Sequence, residues 1–139
     1  MIKIGKMTDY AMLILSEMAK TPDAILSANS LAEALYLNLP TTSKILKMLS
    51  DAQLVQSVRG ADGGYKLAKS ANTISIVDVI TAMEGGVALT ECCEVKGKCA
   101  INSMCTMREN WRRINHMMDS MLSKFTILDM QQPLALPKE

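Results

Sequence analysis

The chain has 139 residues, enough for one compact core, and a formal net charge of +1 that by itself does not indicate a nucleic-acid partner. Apolar residues make up 49% of the sequence but aromatic residues only 4%, so the core is built from aliphatic side chains and methionine, which favours helices. Without an export signal or a run of about 18 apolar residues, we expect a cytoplasmic protein with no membrane partner.

The first three predicted helices include a helix-turn-helix. Apolar spacing predicts a helix over Thr8–Lys20 and a second, short helix that begins between Ser27 and Ser30. A tight turn over Asn38–Pro40 follows, and the third helix starts at Pro40 and runs to about Asp51. The side chains expected on the buried face of the second helix are Leu31, Ala34 and Leu35. Two short helices joined by a tight turn are typical of a helix-turn-helix.

A glycine-rich hairpin is predicted directly after the third helix. Its strands are Leu54–Val58 and Tyr65–Ala68, and its tip is the segment Arg59–Gly64. A hairpin in this position is the wing of a winged helix-turn-helix domain. The tip lacks the Gly-Lys-Ser/Thr ending of a phosphate-binding loop and leads into a strand, which argues against a nucleotide site.

Positive charge is concentrated in the third helix and the wing. Between Thr41 and Lys69 there are five cations and two anions, a local net charge of +3. Hydroxyls and cations on one face can meet phosphates and base edges of double-stranded DNA, and an arginine can enter the minor groove. An ordinary solvated helix face is the alternative for the helix alone. The predicted DNA contacts are Thr41, Thr42, Ser43, Lys44, Lys47, Arg59 and Gly60.

Two more helices are predicted. Ser75 caps a fourth helix through Glu84, with Asp78 in capping-box register and Gly85-Gly86 as the stop. In the long final helix, apolar residues alternate at spacings of four and three, which predicts a seam for a homodimer. The alternative is that this stripe packs on its own domain. The seam residues are Met107, Trp111, Ile114, Met118, Met121 and Phe125.

The predicted fold class is therefore mainly α, a winged helix-turn-helix with a small β-hairpin wing and a long C-terminal dimerisation helix. We divide the chain into a DNA-binding domain over 1–86, a cysteine-rich loop over 87–105, a dimerisation helix with a short extension over 106–130, and a tail over 131–139.

The loop over 87–105 holds four cysteines within fourteen positions. Five residues separate Cys93 from Cys99 and Cys99 from Cys105, and Cys92 adjoins the first. In a reducing compartment this favours metal binding or redox chemistry over disulfides. Thiolates bind iron-sulfur clusters, and the spacing differs from the short C-x2-C pairs of zinc sites without excluding zinc. His116 is the only histidine and no catalytic triad is present, so we expect neither enzyme activity nor a small-molecule substrate.

Taken together, these motifs resemble the IscR/NsrR-type regulators that sense iron-sulfur clusters, and more narrowly the regulators of SUF cluster-assembly operons. The motifs that carry the resemblance are Thr8-Asp9-Tyr10-Ala11, the wing segment Ser57–Tyr65 and the C-x5-C-x5-C pattern. The resemblance covers nearly the whole chain. It implies a homodimer with crossed long helices, an operator contacted by the third helix and the wing, and a [2Fe-2S] or [4Fe-4S] cluster on Cys93, Cys99 and Cys105.

The fourth cluster ligand stays open. The best-known member of the family has a histidine three residues after its last cysteine, where this chain has Arg108. Other members use an acidic residue near the N-terminus of the partner subunit, and Asp9 stands at that place, while Cys92 is the competing ligand. The expected function is a cluster-controlled repressor of iron-sulfur assembly genes. The alternatives are a thiol-based redox-sensing regulator without a cluster and a cluster carrier that does not bind DNA.

Overall fold

The structure is a computed structural model that describes residues 2–135. Within that range the prediction of a mainly helical chain with one β-hairpin is confirmed. The helices are α1 (Lys6–Ala19), α2 (Ala28–Leu35), α3 (Leu39–Asp51), α4 (Ile76–Glu84), α5 (Arg108–Leu122) and α6 (Ile127–Met130). The strands are β1 (Val55–Val58) and β2 (Gly64–Leu67), and single 3-10 turns lie at Ala71–Thr73 and Glu91–Cys93.

Helix α1 lies at the centre of the core. Its stripe of Ala11, Ile14, Leu15 and Met18 is buried, and the helix packs against α3, α4 and α6. Buried side chains of α3, including Ile45, complete the same cluster. The helical spacing read from the sequence therefore identifies the face of α1 that forms the centre of the core.

Helix α2 begins one residue after Ser27, whose hydroxyl accepts a hydrogen bond from the amide of Ser30 at 3.0 Å. Its buried side chains are Leu31 and Ala32. The expectation that Ala34 is buried is wrong. The buried face contains Ala32, the residue directly after Leu31, whereas Ala34 is exposed.

The turn of the helix-turn-helix lies earlier than predicted. Asn38 is the N-cap of α3, since its Oδ1 accepts the amide of Thr41 at 2.8 Å, so the helix starts at Leu39. Pro40 is consequently the second rather than the first helical residue, where its missing N–H is still tolerated. The end of α3 at Asp51 is as predicted.

The wing is an antiparallel hairpin in which Val58 pairs with Gly64 and Val55 with Leu67. A third segment joins it, because Leu26 and Tyr65 exchange two backbone hydrogen bonds of 2.8 Å. A Cβ atom on Gly64 would lie 2.5 Å from the Leu26 carbonyl oxygen, so only glycine allows this close pairing. The wing is thereby fixed to the helical body.

Helix α4 has the predicted capping box of Ser75 and Asp78, and Gly85 ends it in the left-handed region at φ 86°. Helix α6 was not predicted. It follows α5 after a short turn and places Ile127 in the core beside α1. The chain after the long helix thus returns to the helical core around α1. Part of the predicted tail, residues 136–139, lies outside the described residues.

Candidate nucleic-acid interface and cysteine loop

Helix α3 presents cations on its outer face. Lys44 and Lys47 are exposed, while Thr41 and Ser43 are half-buried. Two ion pairs occur in the described residues, Lys20 with Glu17 and Arg113 with Glu109, and neither involves a cation of α3 or the wing. These charges are therefore available for phosphate groups.

Thr42 does not belong to this exposed face. It is 0% exposed, and its Oγ1 donates a hydrogen bond to the backbone carbonyl oxygen of Asn38 at 2.9 Å. A threonine can be buried in a helix when its hydroxyl bonds to the carbonyl one turn earlier, which satisfies its polar atom. The expectation that Thr42 contacts DNA is thus wrong for this conformation, and the residue supports the start of α3 instead.

The wing tip holds the other predicted DNA contacts. Arg59 and Gly60 are exposed, and Gly60 has φ 115°, a conformation that disfavours other residues. The turn is closed by a 3.0 Å hydrogen bond from the amide of Gly63 to the carbonyl of Gly60. Arg59 is therefore carried on a defined turn, and nothing in the described residues occupies its guanidinium.

The four cysteines are free and half-buried. Cys92 and Cys93 share one neighbour, because the hydroxyl of Thr90 lies 3.0 Å from one sulfur and 3.3 Å from the other. Cys99 and Cys105 lie further along the loop, where the backbone hydrogen bonds join residues three apart. The loop is thus a succession of local turns.

The donor set of this loop fits an iron-sulfur cluster in kind, since thiolates are its usual ligands. The positions of these donors, however, do not bring them onto one centre in the described residues. Among residues 2–135, no three His, Cys, Asp or Glu side chains lie close enough together to hold a metal ion. In addition, Oδ1 of Asn102, between Cys99 and Cys105, is buried without a hydrogen-bond partner in this part of the chain. Cluster binding would require the loop to rearrange.

Helix α5 contributes three side chains that hold the loop. Asn115 binds its start twice, since Nδ2 donates to the carbonyl of Val87 at 2.8 Å and Oδ1 accepts the amide of Leu89 at 2.9 Å. Arg112 reaches the carbonyl of Cys92 at 3.4 Å, and Arg108 reaches the carbonyl of Asn102 at 3.2 Å. No sequence pattern marks these anchors, because polar residues on a helix are usually solvated.

The two candidates for the fourth ligand have different surroundings. Asp9 is exposed in the first turn of α1, and among the described residues it belongs to no group of three potential metal ligands. Its neighbour Thr8 is buried and donates a 2.6 Å hydrogen bond to Oε2 of Glu84, which fixes the start of α1 to the end of α4. Cys92 is adjacent to Cys93 in the 3-10 turn.

Helix α5 has no buried residue among the described ones. Met107, just before it, is 64% exposed, and Trp111, Ile114 and Met121 are 39%, 45% and 52% exposed. Met118 is half-buried, and Phe125 lies beyond the helix end at Leu122. The apolar stripe is therefore not covered within its own chain.

No helix in residues 2–135 has the length and apolar character needed to cross a membrane.

Several known proteins are similar to this chain in sequence and fold. Residues 4–133 match the Rrf2 family, described as iron-dependent transcriptional regulators. The regulator IscR of Vibrio vulnificus is 34% identical over 97 residues, which are 70% of this chain and 57% of that protein. The structure of CymR (YrzC), the global cysteine regulator of B. subtilis, is 30% identical with a TM-score of 0.71, covering 94% of this chain and 96% of that one. IscR of T. potens is 26% identical with a TM-score of 0.67, covering 94% and 86%.

Proposed function

Because the chain belongs to the Rrf2 family of transcriptional regulators, we propose that it represses iron-sulfur cluster assembly genes and that a cluster on Cys93, Cys99 and Cys105 sets its DNA affinity. It is a DNA-binding winged-helix regulator and not an enzyme. The observation that carries the cluster proposal is three evenly spaced thiols on the segment that links the DNA-binding body to α5. The likeness to IscR and the iron-dependent description of the family support it.

The proposed homodimer rests on the unsatisfied apolar face of α5. Four large apolar residues along one stripe are more than a third exposed, as in a helix that packs against a second copy. Two recognition helices must engage half-sites about 34 Å apart. The cysteine loop connects α4 to α5. A change in the loop would therefore alter the position of α3 and the wing of each subunit relative to the two α5 helices of the dimer.

The cluster ligands in this proposal are the three cysteines of the C-x5-C-x5-C pattern, with Asp9 of the partner subunit or Cys92 as the fourth. A bound cluster supplies a link among these positions that oxidation or iron loss can break. The unpartnered Oδ1 of Asn102 and the local hydrogen bonds of the loop support a segment that is able to rearrange. Asn115 keeps the start of the loop on α5 while it does so.

A thiol-based regulator without a cluster is the second candidate. In its favour, no three ligands are assembled in the described residues, and Cys92 and Cys93 lie together beside Thr90. The similarity to the global cysteine regulator CymR also fits this candidate. A cluster carrier that does not bind DNA receives no support from a family of transcriptional regulators.

Anaerobic purification with iron, sulfide and absorbance measurements separates the two candidates. We expect coloured protein that contains iron and sulfide, loss of both in Cys99→Ser, and retention of both in the control Ser103→Ala, which changes an exposed residue of the same loop that is not a proposed ligand. A spectroscopic change in Asp9→Ala, with none in Cys92→Ala, would assign the fourth ligand to Asp9. Colourless, iron-free protein from repeated anaerobic preparations would contradict the cluster and support the thiol-based regulator.

A further inference from the structure

Tyr36 has an unusual conformation for a large residue. It is the first residue after α2 and adopts φ 55° and ψ 38°, in the left-handed region. Its side chain is 97% exposed and therefore makes almost no contact within the chain. An aromatic residue with positive φ is an outlier that requires an explanation.

The backbone, and not the side chain, imposes this conformation. The amide of Leu37 donates to the carbonyl of Ala32 at 2.9 Å, and the amide of Tyr36 donates to that of Glu33 at 3.3 Å, which ends α2 in the usual left-handed motif. Glycine is the common residue here because a Cβ atom is strained at positive φ. Tyr36 thus lowers stability relative to glycine and recovers nothing by burial.

The position of Tyr36 suggests which interaction offsets this loss of stability. It lies in the turn of the helix-turn-helix, two residues before the N-cap Asn38 of α3, the helix that presents Lys44 and Lys47. When such a domain binds DNA, the N-terminal part of the second helix enters the major groove and the first helix crosses the backbone. We therefore expect the turn between them to lie near the sugar-phosphate chain, where tyrosine hydroxyls are among the usual phosphate donors.

We propose that Tyr36 is a DNA-backbone contact, with its ring against a deoxyribose and its hydroxyl donating a hydrogen bond to a phosphate oxygen. This inference rests on the DNA-binding function proposed above. The contact contains no charge, so it adds affinity without releasing a counterion. It also applies to any sequence, because phosphate contacts position the protein and do not identify bases.

The test uses the full-length protein and a mixed-sequence duplex of about 30 base pairs, roughly three helical turns. Affinity is measured between about 50 and 200 mM salt for wild type, Tyr36→Phe and Tyr36→Gly. Thermal unfolding is measured for the same proteins. Gln53 provides the matched control, because it is also exposed and left-handed, at φ 61°, but follows the opposite end of α3, about 20 Å away.

We expect Tyr36→Phe to bind DNA about threefold to tenfold more weakly, the range for one lost hydrogen bond, and Tyr36→Gly at least as weakly. Tyr36→Gly nevertheless unfolds at a higher temperature, by about 2–4 °C, because the strain is removed. The salt dependence stays as in wild type. In Gln53→Gly the unfolding temperature rises and the affinity does not change.

Wild-type affinity in both Tyr36 variants would overturn this inference alone, provided that Lys47→Ala weakens binding and reduces the salt slope by about one. A wild-type protein that does not bind the duplex would overturn the DNA-binding function and this inference together. Equal binding by wild type and Tyr36→Phe, with weaker binding by Tyr36→Gly, would overturn the hydroxyl contact.

Discussion

Arg59 is the cation that the wing presents at its tip, exposed and free of ion pairs in the described residues. We predict that Arg59→Ala weakens operator binding by about 1–3 kcal/mol if the guanidinium makes a specific contact, since it removes both hydrogen bonds and charge. Binding isotherms at several salt concentrations measure this loss.

Lys20→Ala is the control for Arg59, because it also removes one exposed cation, at the end of α1 and outside the chain segment that forms α3 and the wing. This variant is expected to bind as wild type does. Equal losses in the two variants would show that total charge, and not the wing, determines the affinity.

Thr42 shows why single residues were harder to place than helices. The prediction that Lys44 and Lys47 lie on the outer face of α3 is correct, and both are exposed. A threonine is small enough to lie on either the exposed or the buried side of a helix. Which side Thr42 takes depends on one hydrogen bond to Asn38, which helical spacing does not reveal.

At the scale of elements, local signals predicted most of the fold. Ser75 with Asp78 marks the start of α4, and Gly85 marks its end. Helix α6 was missed because a single turn has no periodicity to detect. Thr126 and Asp129 do form a capping box there, and that pair was the available signal.

The start of the cysteine loop depends on α5 through Asn115. We predict that Asn115→Ala increases hydrogen exchange at the Leu89 amide by about tenfold, because it removes the acceptor at 2.9 Å together with the second bond to Val87. Hydrogen–deuterium exchange with mass spectrometry measures this. Asn110→Ala, on an exposed position of the same helix, is the control. Unchanged exchange near Leu89 would contradict the anchoring role.

At the scale of the whole molecule, α5 is expected to join two copies. We predict that Ile114→Asp weakens dimerisation by about tenfold or more, because the interface would bury an unpaired carboxylate. The monomer remains folded, since Ile114 is 45% exposed within its own chain. Light scattering across a dilution series measures the change.

His116→Asp adds the same carboxylate two residues later, about 200° around the helix, and is expected to leave the dimer intact. A wild-type protein that is monomeric at micromolar concentration would refute the dimer.

The sequence identified the thiols of the candidate site but not their positions in space. Even spacing indicates which cysteines share a role, whereas bringing Cys93, Cys99 and Cys105 together depends on an irregular loop. Short turns within that loop satisfy its backbone locally, and no periodic pattern describes them. Arg108, which stands where a family member has a ligating histidine, instead bonds to the carbonyl of Asn102.

The most direct measurement compares the affinity of cluster-loaded and cluster-free protein for one promoter fragment of the host's iron-sulfur cluster assembly operon. Both forms are kept anaerobic at the same salt concentration, and the cluster-free form is prepared by chelation with its thiols reduced. We predict that the two dissociation constants differ by about tenfold or more, within the usual range of coupling between two sites. Equal dissociation constants would contradict control of DNA binding by a cluster on the cysteine loop.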